Sequence, residues 1–160
     1  MSTSKETQIA ADPALPTIVI TREFDAPRAR VFRAYTDPEL VVQWLGPRRL
    51  TMKIEEYDAR THGAYRYRHI DEDGTEFGFH GTFHEVRQDE RIVQTFTYDG
   101  EPDGVSLDKA VFEDLGDRTR VTTTGLVDSL ETRDAILASG MEGGLSEGYE
   151  RLDELLAAQA

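Results

Sequence analysis

Residues 63–98 read GAYRYRHIDEDGTEFGFHGTFHEVRQDERIVQTFTY. Tyr65, Tyr67 and His69 alternate with Arg66 and Arg68, a period of two that belongs to a strand with one face turned inward. Asp73-Gly74 supplies a hairpin turn of the kind that accepts positive φ. Phe77, Phe79, Gly81 and Phe83 then share one face of the next strand. Arg91 to Tyr98 makes another, closed by Asp99-Gly100 and Pro102-Asp103-Gly104. Consecutive strands joined by short turns predict an antiparallel meander.

The same period extends outward. Leu50, Met52 and Ile54 alternate with polar residues before the quoted stretch. Two further strands cover roughly 105–113 and 118–127, joined at Leu115-Gly116-Asp117. Upstream, TIVITREF (17–24) is a β-branched strand with Ile18 and Ile20 on one face. Asp25-Ala26-Pro27 is a helix entry with Pro in the first turn, and Val31, Phe32 and Tyr35 are the inward residues of that helix. A second short helix starts at Asp37-Pro38-Glu39 with Asp37 as N-cap; Leu40, Val41, Trp44 and Leu45 form its apolar stripe, and Gly46-Pro47 stops it. From about Glu131 to Ala158 the spacing is helical again: Met141, Leu145, Gly148, Leu152 and Leu155 lie on one face. The expected order is strand, two short helices, six strands and one long helix, an α+β fold in which the long helix buries its stripe across the concave face of a curved sheet.

Four glycines lie in that last helical segment. Gly140, Gly143, Gly144 and Gly148 each cost about 1 kcal/mol against Ala in a helix interior. A cavity wall or a close approach of another backbone would offset this; a break near Gly143-Gly144 would remove it. Both readings stand at this point.

Length and composition fit one domain: 160 residues, 38% hydrophobic and 31% charged. MSTSKETQIAADPALP (1–16) has one Lys and no apolar core, so it reads as a disordered lead-in, not a secretory signal, ahead of a single domain over 17–158. The chain has no cysteine, which removes disulfides, thiolate metal sites and thiol nucleophiles. A net charge of −13 repels phosphates, so nucleic acid is not an expected partner. No window approaches the about 18 apolar residues of a membrane span. The cytoplasm is the expected compartment, as a monomer or homodimer.

Specific strings carry a family resemblance: FDAPRARVFRAYTDPELVVQWLGP (24–47), the stretch 63–98, EDLGDRTRVT (113–122) and RDAILASGMEGGLSEGYERLDELL (133–156). Together they resemble the SRPBCC or START-like superfamily. The nearest branch is the bacterial proteins named as homologues of the activator of the ninety-kilodalton heat-shock-protein ATPase. The resemblance implies a helix-grip (START/Bet v-like) fold: a curved antiparallel sheet of about seven strands wrapped around a long C-terminal helix, with two short helices after the first strand and a cavity between sheet and helix. It also implies an apolar small-molecule ligand. Some members are aromatase/cyclases, and the branch name comes from a co-chaperone domain, but fold does not settle function.

Trp44, Tyr65, Tyr67, Phe79, Phe83, Phe96, Met141, Leu145 and Tyr149 are the expected ligand-binding residues, since aromatic and apolar walls with a few hydroxyls describe a small-molecule pocket. Aromatics also fill ordinary cores, so about half of them are expected to be core only. His80 and His84 have HxxxH spacing, but on a strand they stand about 13 Å apart, too far for one ion. His62 and His69 on the preceding strand offer at most a cross-strand pair. No metal, cofactor or catalytic residue is expected. Asp71-Glu72-Asp73-Gly74 lacks the remaining ligands of a calcium loop. Glu76 and Asp108 sit within strands, where alternation favours solvent; a buried one could do general acid work. Arg22, Arg66 and Arg68 are read mainly as surface residues. The leading expectation is noncatalytic binding of a hydrophobic or aromatic small molecule. A polyketide cyclase/dehydratase-like or hydrolase enzyme using the same cavity is the first alternative, and a co-chaperone-like interaction module with an exposed apolar patch is the second.

Overall fold

Alternation of apolar and polar residues leaves each strand here with one face that must be covered, and the chain covers it with its own C-terminus. The computed structural model describes residues 5–159. In chain order its elements are β1 (Gln8–Ala11), β2 (Thr17–Phe24), α1 (Arg28–Thr36), α2 (Pro38–Trp44), β3 (Thr51–Tyr57), β4 (Ala64–Ile70), β5 (Glu76–Arg87), β6 (Arg91–Tyr98), β7 (Ser106–Asp114), β8 (Thr119–Leu126), α3 (Leu130–Ala138) and α4 (Met141–Ala158). The strands form one antiparallel sheet in the order β1-β2-β8-β7-β6-β5-β4-β3. The two short helices carry the chain from β2 across to the far edge at β3, and the meander returns it to β8 beside β2.

The described part of the expected lead-in is not disordered. Gln8–Ala11 pairs with Ile18–Thr21 as an edge strand, which makes eight strands among the described residues. A four-residue edge strand has too few positions for periodicity to register. Residues 1–4 of that expectation lie outside the described residues.

Asp37 caps α2, its carboxylate accepting from the Glu39 amide at 3.0 Å. The α1 entry differs: Pro27 is itself the N-cap, without a side-chain cap bond. Register shifts fall between Ile54 and Glu56 and between Phe83 and Glu85, so neither bulge is at a glycine. Gly74 does take φ +88° in the β4–β5 turn.

The core lies between the concave face and α4. Phe24, Phe83, Phe112, Val121 and Ile92 come from the sheet, and Tyr149, Leu152 and Leu156 from the helix, all buried. Burying one such side chain stabilises by about 1.5–3 kcal/mol. α4 is shorter than the expected helix because Ser139 and Gly140 interrupt the segment, and the break falls at Gly140 (φ +86°), not at Gly143-Gly144. The left-handed conformation there is one that glycine alone adopts without strain. Gly148 has a different role. A Cβ on it would lie 3.3 Å from the Gly46 nitrogen and the Trp44 carbonyl oxygen, so the α2–β3 corner packs against bare helix backbone. Arg151 fastens the same corner, donating to the carbonyls of Gly46 at 3.0 Å and Gln43 at 2.9 Å.

Arg22 is not on the surface. It shares the inner face of β2 with Ile18, Ile20 and Phe24, is 3% exposed, and meets Asp153 of α4 in a two-pronged contact of 2.9 and 2.7 Å. Its guanidinium also stands 5.0 Å from the Phe24 ring centre and 5.9 Å from that of Tyr149. Arg66 and Arg68 are on the opposite face, paired with Asp99 and with Glu55 and Glu76. Removing one member of a buried pair strands the other charge. Asp153→Ala should therefore lose about 3 kcal/mol in urea unfolding, and Arg22→Met/Asp153→Leu should recover most of it.

Candidate functional site

α4 does not press on the sheet along its whole length. Its C-terminal half carries Tyr149, Leu152 and Leu156 into the core, whereas its first turns carry Gly143, Gly144 and Ser146. Small residues of the sheet, Ser106, Thr123 and Gly125, with Gly104 just before β7, border a gap beside α3. They leave a cleft of about 870 Å³ between the sheet and α3 that reaches Met141 at the start of α4.

Its apolar lining comes from Ile18 and Ile20 of β2, Phe79 of β5, Phe96 of β6, Ala135 and Ile136 of α3, and Met141 at the start of α4. Rings cross the sheet as a shelf: Tyr67 stacks on Phe79 at 5.3 Å, and Phe79 on Phe96 at 5.4 Å. The inner end of this shelf is core and the outer end floors the cleft. α3 is held over the opening by Arg133, whose Nη1 donates to the carbonyls of Asp12, Leu15 and Thr17 at 2.9, 2.9 and 3.0 Å.

The expected ligand-binding residues separate into two groups. Phe79, Phe96 and Met141 line the cleft. Trp44, Tyr65, Tyr67, Phe83 and Tyr149 are at most 6% exposed and belong to the core, with Leu145 packed against it. Two of their polar atoms are bonded locally: Trp44 Nε1 donates to the Ala34 carbonyl at 2.8 Å, and the Tyr65 hydroxyl to the Thr95 carbonyl at 2.5 Å. Desolvation holds the Tyr65 and Tyr67 hydroxyls well above the usual phenol range, so both stay neutral.

His69 is buried between Tyr67 and Phe79, with ring centres 5.3 and 5.5 Å away, and beneath Gly46. Burial lowers its pKa, which keeps the imidazole neutral. His80 is instead on the outer face, bonded to Asp99 at 2.6 Å. Among the described residues no three His, Asp or Glu side chains converge on a point where they could hold a metal ion.

Asp108 is the polar group that matters. Ser106, Asp108, Ala110 and Phe112 share the inner face of β7, so the carboxylate projects into the cleft, where its described partner is the Ser106 hydroxyl, donating at 3.1 Å. Desolvation pushes its pKa up to about 6, partly opposed by that hydrogen bond. Glu76, on β5, is exposed and paired with Arg68. The alternation in SLDKAVF could have placed Asp108 inward. Leu107 and Val111 obscure it, because these apolar residues face solvent at 44% and 40% exposure. The α3 wall, including Ala135, Ile136 and Glu131, gave no signal beyond helical spacing.

A raised carboxyl pKa means the folded state binds its proton more tightly than the unfolded one. This group's contribution is therefore fully favourable below about pH 4 and is lost as pH rises through about 6. Paired carboxylates such as Asp99, held low by His80 first and Arg66 second, act in the opposite direction. The difference between Asp108→Asn and the parent isolates the effect. The variant should be more stable by about 1–3 kcal/mol at pH 8, with the advantage disappearing towards pH 4, in urea unfolding across that range.

A family model described as Activator of Hsp90 ATPase homolog 1-like protein matches residues 25–157. No curated protein matches the chain. Among solved structures, a Rhodobacter sphaeroides protein is 26% identical and superimposes with a TM-score of 0.88 over 96% of this chain and 99% of that one. A Mycobacterium smegmatis protein is also 26% identical, with a TM-score of 0.85 and the same coverage, 96% and 99%. The AHSA1 protein of Silicibacter pomeroyi, at 19% identity and a TM-score of 0.76 over 90% and 99%, is a likeness of fold alone. The match to the family model takes in both short helices, the meander and nearly all of α4, and the chain belongs to the Activator of Hsp90 ATPase homolog 1-like protein family.

Proposed function

We propose that the chain binds a small molecule with an apolar or aromatic body in the cleft between the sheet and α3–α4, without chemical turnover. The observation that carries this reading is the cleft itself. At about 870 Å³ it lies within the size range of small-molecule sites, and Phe79 and Phe96 give it a flat aromatic floor. Binding would come from burying the ligand's apolar surface at about 25 cal/mol per Å² against those rings and Ile18, Ile20 and Ile136. Asp108 would supply the polar contact.

Turnover is the less supported alternative. A cyclase or hydrolase needs an acid and a base, or a nucleophile with a base to activate it. Asp108 and Ser106 touch each other, but no histidine or lysine lines the cleft among the described residues. An interaction module would use exposed apolar surface, and Leu107 and Leu126 are paired across β7 and β8 on the outer face at 44% and 43% exposure. Leu15, Val105, Val111 and Leu130 are exposed as well, but exposed apolar side chains are ordinary on a protein surface.

Ala135 is exposed at the cleft wall, so a larger side chain there fills the cleft without disturbing the core. N-phenyl-1-naphthylamine, a neutral fluorescent probe, should bind the parent saturably with one site per chain. Ala135→Trp should weaken it by roughly tenfold or more while thermal stability changes by less than about 0.5 kcal/mol. Equal affinity for both proteins would place the probe elsewhere and remove the support for this reading.

A further inference from the structure

The cleft has a charge character that an apolar pocket does not require. Its lining includes four carboxylates, Asp108 within and the exposed Glu101, Asp128 and Glu131, and among the described residues no Lys, Arg or His side chain. The nearby basic groups are committed elsewhere: Arg22 to Asp153, and Arg133 to three backbone carbonyls and Asp134. Lys109, next to Asp108 in sequence, is on the outer face of β7 by alternation. Asp108 is half-buried, and its one described hydrogen bond is from a hydroxyl, so its second carboxylate oxygen faces the cleft without a described donor. Gly125 is its cross-strand neighbour. A Cβ there would stand 3.1 Å from Asp108 Oδ1, so the missing side chain keeps that flank of the carboxylate open.

We infer that the cleft selects cationic ligands, an apolar or aromatic body bearing a protonated amine, with the ammonium bonded to Asp108. This rests on the cleft being a ligand site, as proposed above. The physics is that of a charged acceptor partly removed from water. Its ionised form lacks a counter-ion, and an ammonium donating into it forms a charge-assisted bond in a medium less polar than water. Carboxylate ligands meet the opposite field from all four groups. The phenols of Tyr65 and Tyr67, which face Asp108 from β4, stay neutral and do not compete for the charge.

Three probes with one ring system separate charge from shape: 1-naphthylmethylamine, 1-naphthylmethanol and 1-naphthoate, titrated by calorimetry at pH 7.5. The amine should bind roughly ten- to a hundredfold more tightly than the alcohol, and the carboxylate most weakly. In Asp108→Asn, which keeps the size and the serine contact, the advantage of the amine over the alcohol should disappear. Equal affinities in the parent, or an amine preference that survives Asp108→Asn, would overturn the inference and leave the cleft as a neutral apolar site. Failure of all three, and of N-phenyl-1-naphthylamine, to bind the parent would overturn the binding reading and this inference together.

Discussion

Taking a guanidinium out of water on the inner face of a sheet is costly, by several kcal/mol even after relaxation, and β2 does so with Arg22. The cost is offset only because Asp153 arrives from α4 with both oxygens in range and two aromatic rings flank the cation. The pair has one good geometry, so it fixes where the C-terminal half of α4 crosses the sheet. Leu152 and Leu156 are then placed over the concave face, and Gly148 comes to lie against the α2–β3 corner. Apolar packing supplies most of the stabilisation, and the ion pair adds a directional contact at that crossing.

The cleft is the other consequence of that crossing. With α4 held at its C-terminal half, the chain before it turns at Gly140, and α3 bridges from the helix to the β1–β2 connection, where Arg133 gathers three carbonyls. Beneath this bridge the sheet sets Ser106, Thr123 and Gly125 beside Phe79 and Phe96, and the small residues leave space above the rings. The aromatic shelf runs continuously from the filled end to the open one, so an aromatic guest on Phe96 would extend a stack that the core already begins at Tyr65.

The fold was legible because its signals are periodic and long. Alternation over six consecutive strands, the Asp37 cap and a stripe stepping by three and four residues each survive local irregularities. The missed features are short or depend on tertiary contact. The strand at Gln8–Ala11 is defined by its partner, not by its own pattern. Four closely spaced glycines could not say whether a helix breaks or is approached, and the structure does both, breaking at Gly140 and packing closely at Gly148. Arg22 is an instructive error: its position two residues after Ile20 placed it inward, yet its chemistry argued for solvent, and only a partner 131 residues away resolves the conflict. The aromatic residues were the right type for a pocket wall, but the boundary between core and cleft depends on which small residues lie opposite. That explains why Phe79 and Phe96 reach the cleft while Tyr65, Tyr67 and Trp44 do not.

A shared family and a shared grip leave the ligand to be set by a handful of side chains at one end of the sheet. In this chain those side chains combine an aromatic floor with carboxylates, and the central claim is that the cleft is occupied in the cell by a small molecule. Native mass spectrometry of the protein taken directly from its own host, followed by solvent extraction of the bound fraction, tests this most directly. The account predicts a reproducible adduct at one per chain that is recovered as an apolar compound. A bare chain mass that persists after incubation with a concentrated small-molecule extract of the host would contradict it.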